Sequence, residues 1–130
     1  MKDATQSSNY NLTLMLYILY VIAIFSAGIL GIIALIINYI KRKDVEGTLF
    51  ESHFTWQIRT FWWYIFWNIM SVVPLMFLLF SNPQLDTLAL NALVLVALFM
   101  IMIACLWIWI VYRAIRGIIY LNENKPMYTQ

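Results

Sequence analysis

The chain has 130 residues, of which 64% are hydrophobic and 11% charged, with a formal net charge of +2. Soluble domains carry about 25% charged residues, so the composition argues against a soluble globular protein. The length leaves no room for a separate catalytic module beside a membrane bundle, and the small net charge gives no basis for nucleic-acid binding. The single cysteine, Cys105, cannot form an intrachain disulfide and reads as a small hydrophobe in an apolar stretch.

The first eleven residues carry only Lys2 and Asp3. The apolar stretch behind them exceeds the core of about 7–15 residues found in cleavable signals, so it reads as a retained span. Asn11-Leu12-Thr13 fits the glycosylation pattern but abuts that stretch and reads as coincidence. Residues 4–40, 60–85 and 87–112 contain no charge. A charge at the bilayer centre costs about 2.5–3.5 kcal/mol, and a crossing helix needs about 20 apolar residues. Each gap therefore predicts one span, over residues 12–40, 60–80 and 88–112, within a single membrane domain covering residues 1–130. The fold class expected is all-α, with three transmembrane helices. The first span would be about 44 Å long at 1.5 Å per residue and would have to tilt. Within it Ala23, Ala27 and Gly31 recur every four residues, a small-residue ridge suited to close helix approach within the chain or between copies.

The segment between the first two gaps is more than a loop. Thr48-Leu49-Phe50-Glu51 has the capping-box pattern behind Gly47. Phe50, Phe54, Ile58 and Phe61 then form an apolar stripe at helical spacing, which predicts an interfacial amphipathic helix over residues 48–59. His53 and Gln57, four residues apart on the stripe's edge, can reach each other. The pair admits a pH-sensitive switch, while a locally bonded polar residue is the plainer reading. No ligand set at metal spacing accompanies His53, so neither a metal nor any other cofactor is expected. In the second span Pro74 predicts a kink, and Asn68 is the deepest polar residue, expected to bond to another helix.

Basic residues fix the orientation. Lys41, Arg42, Lys43 and Arg59 precede the second span, and Arg113, Arg116 and Lys125 follow the third in the tail over residues 113–130. The Asn82-Pro83 turn between them has no basic residue. The positive-inside rule then puts the C-terminus in the cytoplasm and, with three spans, the N-terminus outside, as expected for a bacterial inner membrane. All six tryptophans cluster towards the cytoplasmic ends, as an interfacial belt or as a wall for a flat apolar ligand. Arg59, Arg113 and Arg116, bordered by Trp62, Trp63 and Trp109, are candidates for gripping an anionic lipid headgroup; marking topology is their alternative role.

The order Asn38-Tyr39-Ile40-Lys41-Arg42-Lys43-Asp44, then Glu51-Ser52-His53-Phe54-Thr55-Trp56-Gln57-Ile58-Arg59, then Arg113-Ala114-Ile115-Arg116-Gly117 ahead of Lys125-Pro126, resembles the small bacterial membrane proteins related to the chloroplast inner-envelope protein-import component. The resemblance implies a helical membrane protein without an assigned activity. No serine–histidine–acid set or catalytic carboxylate pair can be assembled, so an enzyme is not expected. The function expected is a non-catalytic membrane module, an accessory or scaffold subunit binding lipids, other membrane proteins or itself as a homo-oligomer. The alternative is an oligomeric pore or translocation component, since three helices cannot enclose a channel alone.

Overall fold

The computed structural model describes residues 2–26, 28–80 and 85–128. Its four α-helices are α1 (Lys2–Ile22), α2 (Ile29–Lys41), α3 (Leu49–Phe80) and α4 (Leu85–Asn122); there is no strand among the described residues. Two helices are long and apolar enough to cross a membrane, over Leu49–Leu78 and Thr87–Asn122. The expectation of three is thereby corrected.

The correction comes from the first apolar stretch, which is not one helix. α1 ends at Ile22, a 3₁₀ turn covers Ala23–Ser26, and Gly28 takes φ 89° immediately before α2. That left-handed conformation is open to glycine and strained for residues with a Cβ. The backbone is handed across the break by hydrogen bonds: Gly28 N–H donates to Ala23 O at 2.9 Å and Ile32 N–H to Gly28 O at 3.1 Å. Ser26 Oγ accepts from Leu30 N–H at 3.2 Å, satisfying one of the free donors at the start of α2. α1 and α2 then fold back on each other. Asn38 Nδ2 donates to Tyr20 Oη at 3.0 Å, and a Cβ on Gly31 would lie 3.3 Å from Ala23 Cβ. Ala23 and Gly31 thus do permit a close approach, but across a hairpin rather than along one ridge. Ala27 lies outside the described residues. The apolar part of α1 is about 16 Å long and α2 about 20 Å, both short of the roughly 30 Å hydrocarbon core.

A second correction concerns residues 48–59. They form no separate interfacial helix, because α3 runs unbroken from Leu49. The predicted stripe exists, but Phe50, Phe54 and Ile58 are buried inside the protein. The first two share a core with Leu16, Tyr17, Val45 and Leu121. A stripe at helical spacing fixes which side of a helix is buried, not whether lipid or protein covers it. The expected capping box does not form: Glu51 Oε2 reaches past Thr48 to accept from Gly47 N–H at 2.9 Å, and the Thr48 hydroxyl turns back to donate to Val45 O at 2.6 Å. α3 also continues through Pro74, where the Met70 carbonyl loses its usual partner.

The chain divides into two units, residues 1–62 with 110–130, and residues 63–109. The first holds α1, α2 and the charged ends of α3 and α4, around buried Thr13, Tyr17, Asn38, His53 and Gln57. The second is apolar and its side chains are mostly exposed. In it Trp63 stacks on Trp67 at 6.5 Å between centroids and meets Phe66 edge-on at 5.6 Å. Asn68, expected to bond to another helix, donates instead to Tyr64 O on its own helix at 2.7 Å. Its amide is satisfied locally, one turn back. The Asn82-Pro83 turn lies outside the described residues.

The break predicts a backbone-specific penalty. No heavy atom lies within 4 Å of a Cβ built on Gly28, so replacement there costs conformation and not space. Gly28→Ala should lower stability by about 1–2 kcal/mol, and Gly28→Asn by less, because asparagine tolerates the left-handed region. Denaturant titration in mild detergent checks this; equal stability of wild type and both variants would show the turn to be absent in solution.

Candidate functional site

His53, the fifth residue of α3 and fully buried, ties this helix to both α1 and the tail. Its Nε2 lies 3.0 Å from Lys125 O in the tail, and its Nδ1 lies 2.9 Å from Tyr17 Oη on α1. A carbonyl only accepts, so Nε2 carries the proton and donates to it. In the neutral ring Nδ1 is then an acceptor, and the Tyr17 hydroxyl donates. The two rings meet edge-on, 6.0 Å apart at 90°.

Tyr17 reaches this position because α4 presents a glycine. A Cβ on Gly117 would fall 2.3 Å from Tyr17 Cζ and 2.4 Å from its Oη. The tyrosine ring therefore occupies the space that any other residue at 117 would need. Gln57, one turn beyond His53, donates from Nε2 to Thr13 O at 3.3 Å, leaving its Oε1 buried without a partner. His53 and Gln57, predicted to reach each other, each bond to α1 instead. The tail is fastened beside them: Met127 N–H donates to Ser52 Oγ at 3.0 Å. Tyr10 on α1 bonds to Asn122 at the end of α4.

The space beside this network is small. Tyr17, Tyr20, Trp56, Gln57, Thr60 and Arg113 are among the residues lining a cavity of about 10 Å³, room for roughly one water. Among the described residues no three His, Cys, Asp or Glu side chains come together as a metal site would require.

The predicted arginine cluster does assemble, around aromatic residues other than those expected. Arg113 Cζ lies 3.4 Å from the centroid of the Trp56 ring, and its Nε donates to Thr60 Oγ1 at 2.7 Å. Trp56 Nε1–H donates in return to Arg113 O at 3.3 Å. Arg116 approaches the same indole at 5.9 Å. Tyr128 in the tail meets Trp56 edge-on at 5.8 Å, and Arg59 lies 5.7 Å from the Tyr128 ring. Trp62 instead donates to Tyr39 Oη at 3.1 Å, while Trp63 and Trp109 belong to the second unit. From sequence Trp56 reads as part of an interfacial belt or of a wall for a flat apolar ligand, and Tyr128 carries no signal at all.

Comparison with protein-family models, with curated proteins and with solved structures returns no match.

The Tyr17–Gly117 contact makes a coupled prediction. Gly117→Ala should cost about 1–3 kcal/mol through overpacking, because the Tyr17 ring is held by His53 and cannot swing away freely. In a Tyr17→Leu background the same change should cost far less, so the two substitutions should be strongly non-additive. Unfolding free energies of the four proteins in the cycle measure this; strict additivity would mean the two helices do not meet there.

Proposed function

We propose that this chain is a non-catalytic integral membrane module, an accessory or scaffold subunit of a bacterial inner membrane. It offers two spanning helices to lipid and partner helices and carries a folded cap built by α1, α2 and the charged ends of α3 and α4. The observation that carries this reading is the exposure of the second unit. Ile69, Phe77, Phe80, Leu93, Ile101 and Ile108 are each more than half exposed. Leaving such a side chain in water, rather than burying it, costs about 1.5–3 kcal/mol. Hydrocarbon or the apolar face of another helix removes that cost. The cap, in contrast, is filled by its own polar and apolar side chains, and the cavity beside its buried network has room for about one water.

The hairpin supports a revised topology. α1 and α2 enter the apolar layer and return without crossing it, so both their open ends emerge on one face. Tyr10 bonds to Asn122, which favours the same face for the N-terminus and the C-terminal tail. The positive-inside rule makes that face cytoplasmic. This reverses the orientation first expected for the N-terminus, for the same reason that it reduces three spans to two.

Single cysteines test the arrangement. In a Cys105→Ser background, cysteines at the exposed positions Ser7 and Asn124 should both react with an impermeant maleimide only from the cytoplasmic face of vesicles. Labelling of Ser7 from the opposite face would restore three spans and sink the hairpin topology. For the role itself, extraction in mild detergent should yield the chain in a complex of fixed stoichiometry. Ion conductance by the purified protein in liposomes would overturn the scaffold reading in favour of an oligomeric pore.

A further inference from the structure

We infer that Arg59 and Arg116, set on either side of the Trp56–Tyr128 pair with Arg113, form a binding site for the phosphate headgroup of an anionic phospholipid. This rests on the membrane reading above and adds the ligand's chemical class.

Arg59 and Arg116 are exposed, and among the described residues neither lies within ion-pair distance of a carboxylate. Three acids of this unit are engaged elsewhere: Asp44 by Lys41 at 2.9 Å, Glu123 by Lys125 at 2.6 Å, and Glu51 by the Gly47 amide. The patch thus carries positive charge that the described part of the chain leaves uncompensated. Its shape is fixed from beneath. Trp56 is held by its bond to the Arg113 carbonyl, and Arg113 is held over the indole by Thr60. Guanidinium groups present planar forks that match phosphate oxygens, and aromatic faces beside them orient those forks without neutralising them.

Position then selects the kind of phosphate. Tyr112, Ile115 and Ile119 recur at helical spacing along α4, each about half exposed, flanking Arg116. An anion bound at the arginines therefore has an exposed apolar track beside it. A free phosphate makes no use of such a track, whereas a phospholipid lays its acyl chain there. The site lies where basic ends meet apolar helices, which is the depth of lipid headgroups.

Native mass spectrometry of the purified full chain, equilibrated with equal anionic and zwitterionic phospholipid, tests the proposal. Wild type should retain the anionic lipid with a preference on the order of tenfold, and millimolar inorganic phosphate should not displace it. Arg59→Gln with Arg116→Gln should bring the preference close to parity. Both side chains are exposed, so the fold should persist, as circular dichroism can verify. Arg42→Gln with Lys43→Gln, on the exposed loop after α2, should leave the preference intact. No preference in wild type overturns the proposal, as does an unchanged preference in the Arg59/Arg116 variant. An equal loss in the loop variant would show general surface charge, and displacement by inorganic phosphate would show a free-anion site; either result also overturns it. Alkaline extraction of membranes reads the underlying membrane assignment separately: a chain that stays in the pellet but shows no lipid preference defeats only the headgroup site.

Discussion

The cap of this protein depends on the tyrosine ring of residue 17 lying in the notch of Gly117 with its hydroxyl on His53. Three segments distant in sequence meet there: α1 supplies the ring, α4 the missing Cβ, and α3 the histidine, whose other nitrogen holds the tail at Lys125. Each partner answers a demand that the others create. A buried hydroxyl needs an acceptor, and leaving either group unmatched costs about 1–3 kcal/mol. A neutral imidazole provides one acceptor and one donor, and this site uses both. The glycine permits an approach that would otherwise have to be relieved by moving a ring already fixed by its hydrogen bond. A low local dielectric strengthens such a network when complete and penalises it when broken. α1 and the tail are thereby tied to the same side chain of α3.

The same interaction explains why the first apolar stretch does not behave as a free span. A helix surrounded by lipid has no use for a polar row, yet Asn9, Thr13, Tyr17 and Tyr20 recur at three- and four-residue spacing along α1. Thr13 binds Asn9 O and accepts Gln57 on its own carbonyl, Tyr17 binds His53, and Tyr20 receives Asn38. That row was present in the sequence and points to a protein-facing helix. Charge gaps cannot reveal it, because they record only where ionised groups are absent. They locate α3 and α4 well, since both are continuous and apolar. They cannot separate one long helix from two short ones joined at Gly28, whose neighbours on both sides are apolar too. The stripe on residues 50–58 was read with the right face and the wrong cover, since periodicity carries no information about what lies opposite.

The candidate site was legible to a similar depth. Arg113 and Arg116 could be put on one face by their spacing, and Arg59 at the same end by its place before the second charge gap. What sequence could not supply was the shelf between them. Trp56 becomes central only because Arg113 packs on it from another helix, and Tyr128 only because the chain after Pro126 folds back over the start of α3. Both contacts span more than 50 residues and have no local periodic signature. His53 and Gln57 are the instructive opposite case. Their four-residue spacing suggested a mutual bond, but the same spacing puts both on the face that meets α1, where stronger demands claim them.

The hairpin topology also improves the charge argument that first suggested three spans. With three, Lys2 falls on the face opposite the other basic residues. In the proposed topology, with α1 and α2 returning to the face they left, Lys2 would join Lys41, Arg42, Lys43, Arg59, Arg113, Arg116 and Lys125 on one side. Asp86, the second residue of α4, is the one formal charge between Arg59 and Arg113 in the sequence. Orientation is set by lysine and arginine near span ends and hardly by acids, so this distribution opposes inversion without exception.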